Sequence, residues 1–373
     1  MTASVQVEIV VAVHDPARPI ERAVGSVLAQ EAAGVIVVVH NTPAGPVRAR
    51  LGAHLGDPRL RILELQDGVR SPSGPFNAGL DAARARFVGV MGSDDELEPG
   101  AVAGWLTLQR RTGAAAVIAR LAHAEVSRGV PTPPVRWPRR RLVDPVKDRL
   151  AYRSAPLGMW EASRFPDLRF LPGVATGEDV PFTTALWFSG APVAFDARGG
   201  AYLVHADAAS RVSLSARTVL DDLAFVDAVG ETMARLELSP RTRDAIVRKL
   251  LRVNVMGALV NRRDAEWPLG ERASLARITA AVTALGERPL RSLSRAEARL
   301  VDAMSGDADV ARLYELQAAA RRPTPAALLP RNPLLVLARD APLRFALASM
   351  IAGRLRAAGD GGSRRPPEGA SDV

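Results

Sequence analysis

An apolar run ends in adjacent carboxylates in the stretch Phe87-Val88-Gly89-Val90-Met91-Gly92-Ser93-Asp94-Asp95-Glu96. The apolar part predicts a short buried strand, and the acids follow where that strand ends. Neighbouring like charges repel each other, so a cation is expected beside them, and carboxylate oxygens suit Mg²⁺ or Mn²⁺. A helix that begins near Glu98 and is capped by Ser93 or Asp94 explains these ten residues equally well.

The composition is that of an ordinary soluble protein. The 373 residues are 47% hydrophobic and 24% charged, which excludes a wholly disordered or collagen-like chain. No cysteine is present, so disulfides, thiolate nucleophiles and zinc–cysteine sites are excluded. The net charge of +9 favours anionic partners such as phosphorylated substrates, membrane surfaces or nucleic acid. Residues 5–13 follow Met1 without a basic leader, and no apolar run is long enough to cross a bilayer, so neither a secretory signal nor a membrane span is expected.

The first half of the chain alternates strand-like and helix-like segments, which is typical of a mostly parallel sheet covered by helices. The predicted strands are 5–13, 35–39, 60–65, 87–91 and 115–119, and the predicted helices are 20–30, 47–54, 76–86 and 99–111. Polar residues follow four of these strands, at His14-Asp15, His40-Asn41-Thr42, Gln66-Asp67 and Asp94-Asp95. Because ligands bind beyond the carboxyl ends of parallel strands, we expect these residues to converge on one crevice.

The second half has a different pattern. A Pro- and Arg-rich segment over residues 126–146 predicts a loop that rims a site, and its Arg136 to Arg141 cluster either grips phosphates or is simply solvated. A helix is predicted over 180–188, with short strands near 193–195 and 201–205. Beyond about residue 213 the strand signal disappears and helical patterns run to residue 358. Residues 359–373 have almost no apolar content and are expected to be disordered.

Several segments in order resemble the family 2 glycosyltransferases, which have the GT-A fold. The segments are the strand Val10 to Val13 with His14-Asp15, the helix ending in Ser26-Val27-Leu28-Ala29-Gln30, the Asn77-Ala78-Gly79 motif, Gly92-Ser93-Asp94-Asp95, Gly177-Glu178-Asp179, and Tyr202 to His205 with Ser210 to Ser213. The resemblance implies an α/β fold with a Rossmann-like, mostly parallel sheet flanked by helices, followed by an all-helical C-terminal region. It places the catalytic domain at 1–213, with the nucleotide-sugar side at about 1–125 and the acceptor side at about 126–213. The helical domain then covers 214–358, and the tail covers 359–373.

The resemblance also implies an activity. The expected enzyme is an inverting, metal-dependent glycosyltransferase that moves a sugar from a nucleotide-diphosphate donor to a hydroxyl of a glycan or lipid-linked acceptor in cell-envelope polysaccharide or glycolipid synthesis. Asp179, with Glu178 beside it, would deprotonate the acceptor hydroxyl. Asp95, with Asp94 and His205, would hold Mn²⁺ or Mg²⁺. The residues expected to contact the donor are His14, Asp15, Asn41, Asp67, Asn77 and Asp94.

Some of these residues have simpler explanations. Without the other motifs, Glu178-Asp179 would be read as the cap of a helix, and a lone histidine such as His205 is more often structural. Asp15 is alternatively a turn former before a proline. Trp160 and Trp187 either stack on a sugar or fill the core.

Two departures from the family pattern motivate other functions. His40 and Asn41 stand where the family usually has two acids that hold the base and ribose, and Gly92 stands where the longer aspartate motif begins with an acid. A GT-A-like protein that binds a nucleotide sugar without turnover is therefore the main alternative. A basic scaffold for nucleic acid or a membrane surface ranks last, because only 5% of residues are aromatic and no nucleic-acid motif is recognised.

The segment 334–358 mixes leucines with arginines and predicts a basic amphipathic helix. Such a helix lies on an anionic membrane surface or packs on its own domain. The expected location is the cytoplasm, either free or at the inner face of a membrane. The donor sugar, the base, the acceptor, the linkage and the oligomeric state depend on loop shapes that these motifs do not encode.

Overall fold

The computed structural model describes residues 4–124, 142–205, 217–262, 267–348 and 350–351. The strands in this part of the chain, numbered in chain order, are β1 (Val7–Val13), β2 (Ala33–His40), β3 (Leu60–Leu65), β4 (Phe87–Gly92), β5 (Glu96–Leu97), β6 (Ala116–Ile118), β7 (Leu121–His123), β8 (Leu142–Val143), β9 (Gly158–Glu161), β10 (Val193–Phe195) and β11 (Tyr202–Val204). One sheet has eight strands in the order β3-β2-β1-β4-β9-β6-β10-β8, and a smaller one has the order β5-β11-β7.

The helices are numbered in the same way. They are α1 (Ile20–Leu28), α2 (Ala44–Leu51), α3 (Ser73–Ala82), α4 (Ala101–Thr112), α5 (Asp179–Phe188), α6 (Val219–Asp222), α7 (Val226–Arg235), α8 (Pro240–Lys249), α9 (Met256–Val260), α10 (Glu271–Ala284), α11 (Arg295–Ser305), α12 (Val310–Arg321) and α13 (Pro325–Leu328). A wide π-helical turn, Leu250–Val255, joins α8 to α9. Among the described residues no helix is both long and apolar enough to cross a membrane.

The large sheet is buried on both faces, because its central strands are made of Val and Ile. Successive side chains of a strand point to opposite faces. Val10 and Ile36 accordingly contribute to one core, which also contains α5 and the C-terminal helices. Ile9 and Val35 contribute to the other core, beneath α1 and α4. The helical region therefore packs directly on the sheet that carries the strand-end acids.

The predicted fold class is confirmed, since the central sheet is mostly parallel and helices follow it. β1, β2, β3 and β4 are paired in parallel, and so are β6 and β10. After Val204, the described residues form helices and turns, with one isolated bridge between Ser294 and Pro330.

The structure corrects two details of the prediction and decides a third that was left open. The central strand β9 was not expected, because four residues bounded by Gly158 carry no periodic signal. Trp160 and Trp187 fill the core, at 3% and 2% exposure, and the Trp187 indole donates to the Arg153 carbonyl. The amphipathic segment is not one helix, since a short turn at Pro333–Leu335 is followed by a new helix that starts at Pro342, where a proline is favoured.

Other predictions lie outside the described residues. They concern the Arg136 to Arg141 cluster, the Ser210 to Ser213 motif, the domain boundary near residue 213, the end of the amphipathic segment from 352 to 358, and the disordered tail at 359–373.

Candidate active site

The candidate site lies at the carboxyl ends of β1 and β4, which are neighbours in the sheet. Ala12 of β1 is paired with Gly92 of β4, so the residues that follow each strand leave the sheet side by side. His14 is exposed, and its electrostatic neighbours include Arg18, His40 and Asp94. Residues from three strand ends thus share one crevice, as expected for a topological switch point.

Two arginines at the start of α1 hold Asp94. The Arg18 Nη1 atom lies 3.0 Å from Asp94 Oδ1, and both side chains are 13% exposed. The Arg22 guanidinium donates to the main-chain carbonyl of Asp94. Positive charge is therefore built into the same strand end as the acid pair, and it would complement a bound diphosphate.

A relay of hydrogen bonds positions Asp95. The Gly92 N–H donates to the Tyr202 hydroxyl at 3.0 Å, and that hydroxyl donates to Asp95 Oδ2 at 2.5 Å. The His205 N–H donates to Asp95 Oδ1 at 3.2 Å. Burial raises the pKa of Asp95, and the bond from Tyr202 opposes this rise by favouring the charged form.

The structure explains why position 92 is a glycine, although the resembling family usually has an acid there. A Cβ added there would lie 2.6 Å from Asp95 Oδ2 and 3.1 Å from Asp94 Oδ1. Any larger residue would push these carboxylates away from the strand end. With glycine at position 92, the carboxylates of Asp94 and Asp95 can both lie close to the end of β4.

A divalent cation at this strand end would need several oxygen or nitrogen ligands. No group of three His, Cys, Asp or Glu side chains is arranged to enclose a metal within the described ranges. The His205 imidazole lies 3.2 Å from Glu96 Oε2, and its main chain contacts Asp95. Mg²⁺ usually binds through one or two carboxylates together with substrate phosphates. A half-buried carboxylate pair at Asp94 and Asp95 fits a cation shared with a diphosphate, but not a closed protein cage.

The end of β2 forms a closed polar network with the loop after β3. The His40 Nε2 atom lies 2.8 Å from Asp67 Oδ1. The Asn41 amide donates to Asp67 Oδ1 at 3.1 Å and to the Val69 carbonyl at 3.0 Å, and its oxygen accepts from Gly68 N–H. Because the Asn41 amide is used within the loop, this arrangement does not leave it to read a base edge. His40 and Asn41 instead hold Asp67, whose pKa is lowered by the Val69 N–H and by His40.

Asp15 and Asn77, which were also expected to contact the nucleotide-sugar donor, form hydrogen bonds within the protein. Asp15 Oδ1 accepts from Ala17 N–H at 2.9 Å, which is the geometry of a turn. The Asn77 side chain donates to the Phe170 carbonyl at 2.9 Å and accepts from the Phe170 N–H at 2.8 Å. Leu171 N–H then donates to the Glu178 carbonyl, so Asn77 ties α3 to the segment that leads into the second acid pair.

That second pair, Glu178 and Asp179, opens α5 after Gly177, whose φ is +78°. Burial and the neighbouring Asp179 charge raise the pKa of Glu178 to about 7. Burial raises the pKa of Asp179 to about 6, although the Lys249 charge acts in the opposite direction. An acid that only capped a helix would be stabilised in its charged form, so its pKa would fall. Both pKa values are instead raised, because burial disfavours the charged form of each acid.

This environment predicts that the protein becomes more stable when Glu178 is neutralised. The folded pKa of about 7 lies above the ordinary glutamate pKa of 4.5, so folding opposes ionisation and stability falls as the pH rises between these values. We expect Glu178→Gln to raise the free energy of unfolding by about 2 kcal/mol at pH 8, with little change at pH 4. Urea unfolding at both pH values measures this difference. The exposed Asp167→Asn is the matched control, and an equal gain at both pH values would contradict the prediction.

Sequence reasoning did not identify several residues that shape the site. Arg18 precedes α1 and Arg22 lies in its first turn, positions at which the sequence shows only ordinary polar residues. Tyr202 was noted only as part of a strand. Lys249 gave no signal at all, because it lies about seventy residues after Asp179 in an unrelated helical pattern.

Comparison with known proteins matches the same part of the chain. Residues 8–159 match the model of Glycosyl transferase family 2. The succinoglycan biosynthesis protein ExoO of Rhizobium meliloti (strain 1021) is 43% identical over 93 residues, which is 25% of this chain. That alignment spans 26% of ExoO, so it covers about a quarter of the curated relative.

The fold of the chain is found in solved structures. S. aureus TarS 1-349 in complex with UDP-GlcNAc aligns with a TM-score of 0.68 at 16% identity, over 85% of this chain and 91% of that one. A longer S. aureus TarS structure aligns with a TM-score of 0.64 at 16% identity, over 86% of this chain and 56% of that one. At this identity the likeness concerns the fold. Residues 8–159 are therefore similar to glycosyl transferase family 2, and the chain has a fold seen in S. aureus TarS.

Proposed function

We propose that this protein transfers a sugar from a nucleotide-diphosphate donor to an acceptor hydroxyl, with inversion at the anomeric carbon. The observation that carries the proposal is the acid pair at the start of α5, where burial raises the pKa of Asp179 to about 6. A general base is most effective when its pKa lies near the operating pH. The raised pKa of Asp179 also favours an enzyme over a protein that only binds a nucleotide sugar.

In the proposed reaction the Asp179 carboxylate accepts the proton of the acceptor hydroxyl. The acceptor oxygen forms a bond to the anomeric carbon as the bond from that carbon to the diphosphate oxygen breaks. The bonding electron pair leaves with the nucleoside diphosphate. Because one displacement completes the transfer, the configuration inverts and no covalent intermediate with the protein is needed.

The strand-end acids are the proposed donor side. Asp95 and Asp94 would hold Mn²⁺ or Mg²⁺, which when bound neutralises the negative charge of a leaving diphosphate. Arg18 and Arg22 lie at the same strand end and place further positive charge there. Asp67, held by its network with His40, presents a charged carboxylate beside the crevice that can accept hydrogen bonds from a nucleoside.

The biological setting is proposed from the relatives. ExoO is named for succinoglycan biosynthesis, and TarS 1-349 was solved with UDP-GlcNAc. We propose that this chain acts in cell-envelope polysaccharide or glycolipid synthesis on the cytoplasmic side of a membrane, with a glycan or lipid-linked acceptor.

Turnover of a donor tests the proposed function. The purified protein is incubated with Mn²⁺ and UDP-GlcNAc, UDP-glucose or GDP-mannose, with and without oligosaccharide acceptors, and nucleoside diphosphate release is measured. We expect release with one class of donor, and loss of release when EDTA removes the metal. A donor that binds but is never turned over would support the alternative of a binding protein without activity.

A lipid-facing surface is proposed near the end of the described chain. Four leucines there are exposed to solvent: Leu334 at 89%, Leu337 at 69%, Leu343 at 41% and Leu347 at 51%. Arginines such as Arg331 and Arg344 accompany them and are also exposed. Apolar side chains with adjacent positive charge favour binding to anionic lipid.

The membrane proposal predicts that removing two of these leucines weakens vesicle binding. Burial of one leucine contributes about 1.5–3 kcal/mol, so Leu334→Glu with Leu337→Glu should lower the affinity for phosphatidylglycerol vesicles at least about tenfold. Cosedimentation with vesicles measures this loss. Leu269→Glu, at another fully exposed leucine, is the matched control. Equal binding by all three proteins would show that these leucines do not meet the lipid.

A further inference from the structure

The helical region contacts the start of α5 at two places. The first is Gly177, where an added Cβ would lie 2.2 Å from the Phe225 ring. Phe225 is fully buried at the start of α7 and belongs to the same core as Val180. The backbone that carries Glu178 and Asp179 therefore rests directly on a side chain of the C-terminal region.

The second place is Lys249, the last residue of α8. Its side chain is buried, at 2% exposure. It lines a cavity of about 10 Å³ together with three residues from the first turns of α5, Val180, Thr183 and Thr184. This volume is close to the space that one water molecule occupies. Lys249 thus projects from the helical region toward the first turns of α5.

Asp179 is the acid whose charge acts on Lys249 among the described residues. No carboxylate of the described chain forms an ion pair with Lys249 within 4.0 Å. Arg248, the residue before it, has a different partner, since its guanidinium lies 2.8 Å from Asp340. Burying a charged group is costly, so a buried lysine near Asp179 requires an explanation.

We propose that Lys249 is a positioning residue of the proposed transferase, whose buried ammonium favours the ionised form of the Asp179 carboxylate at the start of α5. The inference rests on the proposed role of Asp179 as the base. The helical region then completes the active site, because the cation that favours the charged base comes from α8 and not from the sheet domain.

The protonation equilibria agree with this arrangement. Burial lowers the pKa of Lys249 to about 8, and the Asp179 charge opposes that change. In return, Lys249 opposes the rise that burial causes in the pKa of Asp179. Glu178 is the other titratable group beside Asp179, and the Asp179 charge helps to keep it protonated. The lysine and Asp179 are thus expected to be charged together between about pH 6 and pH 8.

The test is the pH dependence of donor turnover by Lys249→Met. The methionine keeps most of the side-chain volume but removes the charge, so the pKa of the base should rise. We expect the acidic limb of the rate profile for UDP release from UDP-GlcNAc to move upward by about one pH unit. The rate would then fall about tenfold near pH 6 and change little near pH 8.5.

Two variants serve as controls. Lys249→Arg keeps the charge, so the acidic limb of its pH–rate profile should lie at the wild-type position. Arg248→Met removes a neighbouring buried cation whose partner is Asp340, and it should leave the limb in place. A uniform loss of rate at every pH in Lys249→Met, without movement of the limb, would overturn the proposal in favour of a purely structural lysine.

A second measurement does not depend on turnover. Urea unfolding of the wild type, Lys249→Met, Asp179→Asn and the double variant forms a double-mutant cycle. We expect the two single changes to be non-additive, and additive changes would contradict the proposed pairing. If no donor is turned over by the wild type, the proposed function fails, and the cycle still decides whether the two groups are coupled. If Asp179→Asn is inactive but Lys249→Met keeps the wild-type limb, the inference about Lys249 fails alone.

Discussion

Asp179→Asn is expected to lower the rate of sugar transfer by about 10³-fold, because an amide cannot accept the proton of the acceptor hydroxyl. The substitution keeps the size of the side chain, and the hydrogen bond that the Thr183 hydroxyl donates to the Asp179 main-chain carbonyl does not involve the substituted side chain. The start of α5 should therefore keep its geometry. The rate of nucleoside diphosphate release, with and without acceptor, measures the effect.

Donor binding should be retained in this variant, because the nucleotide is expected to contact the strand ends of β1, β2 and β4. Asp167→Asn is the matched control, since Asp167 is an exposed acid of the segment that precedes α5. A variant Asp179→Asn that transfers sugar within tenfold of the wild-type rate would remove Asp179 from the role of base.

The largest effect on stability is expected at Gly158, the first residue of β9. Its φ is +134°, and an added Cβ would lie 2.1 Å from the Val117 carbonyl oxygen. β9 is paired with β4 on one side and β6 on the other, so the backbone cannot move without opening the centre of the sheet. We expect Gly158→Ala to lower the free energy of unfolding by more than about 3 kcal/mol.

Gly113→Ala separates the effect of the contact from the effect of the backbone angle. Gly113 ends α4 with a φ of +64°, but nothing lies within 4 Å of the added Cβ. Gly113→Ala should therefore lower the free energy of unfolding by about 1 kcal/mol, the cost of placing alanine in a left-handed conformation. Urea unfolding of both variants gives the comparison, and similar losses at the two positions would refute the close packing of β9.

The fold was predictable where the sequence repeats one simple pattern. Runs such as Val35 to Val39 can be buried on both faces, so they indicate parallel strands at any position in a sheet. β9 could not be predicted in this way, because it is short and its position depends on close packing at Gly158 and Gly89. The break at Pro342 was missed because the leucine pattern continues across it.

The residues of the candidate site were likewise predictable only where a local sequence pattern marks them. The acid pairs were found because each follows an apolar run or precedes a helix, which are local patterns. The partners of these acids come from distant parts of the chain: Tyr202 reaches Asp95 across 107 residues. Contacts of this kind depend on tertiary packing, and so no local spacing could have indicated Tyr202 or Lys249. The network around Asn41 was likewise hidden, because the sequence shows an amide but not the loop that binds it.

Nucleotide binding tests the central claim most directly. The melting temperature of the protein is measured with UDP, GDP and dTDP, each with and without Mn²⁺, for the wild type, Asp95→Ala and the exposed control Asp227→Ala. A ligand at 100 times its Kd stabilises the folded state by about 2.7 kcal/mol, which corresponds to a rise of about 3–4 °C for a chain of this length. We predict such a rise with one nucleotide, only with metal, in the wild type and in Asp227→Ala but not in Asp95→Ala. No rise with any nucleotide, or a metal-independent rise that persists in Asp95→Ala, would contradict a donor site at the end of β4.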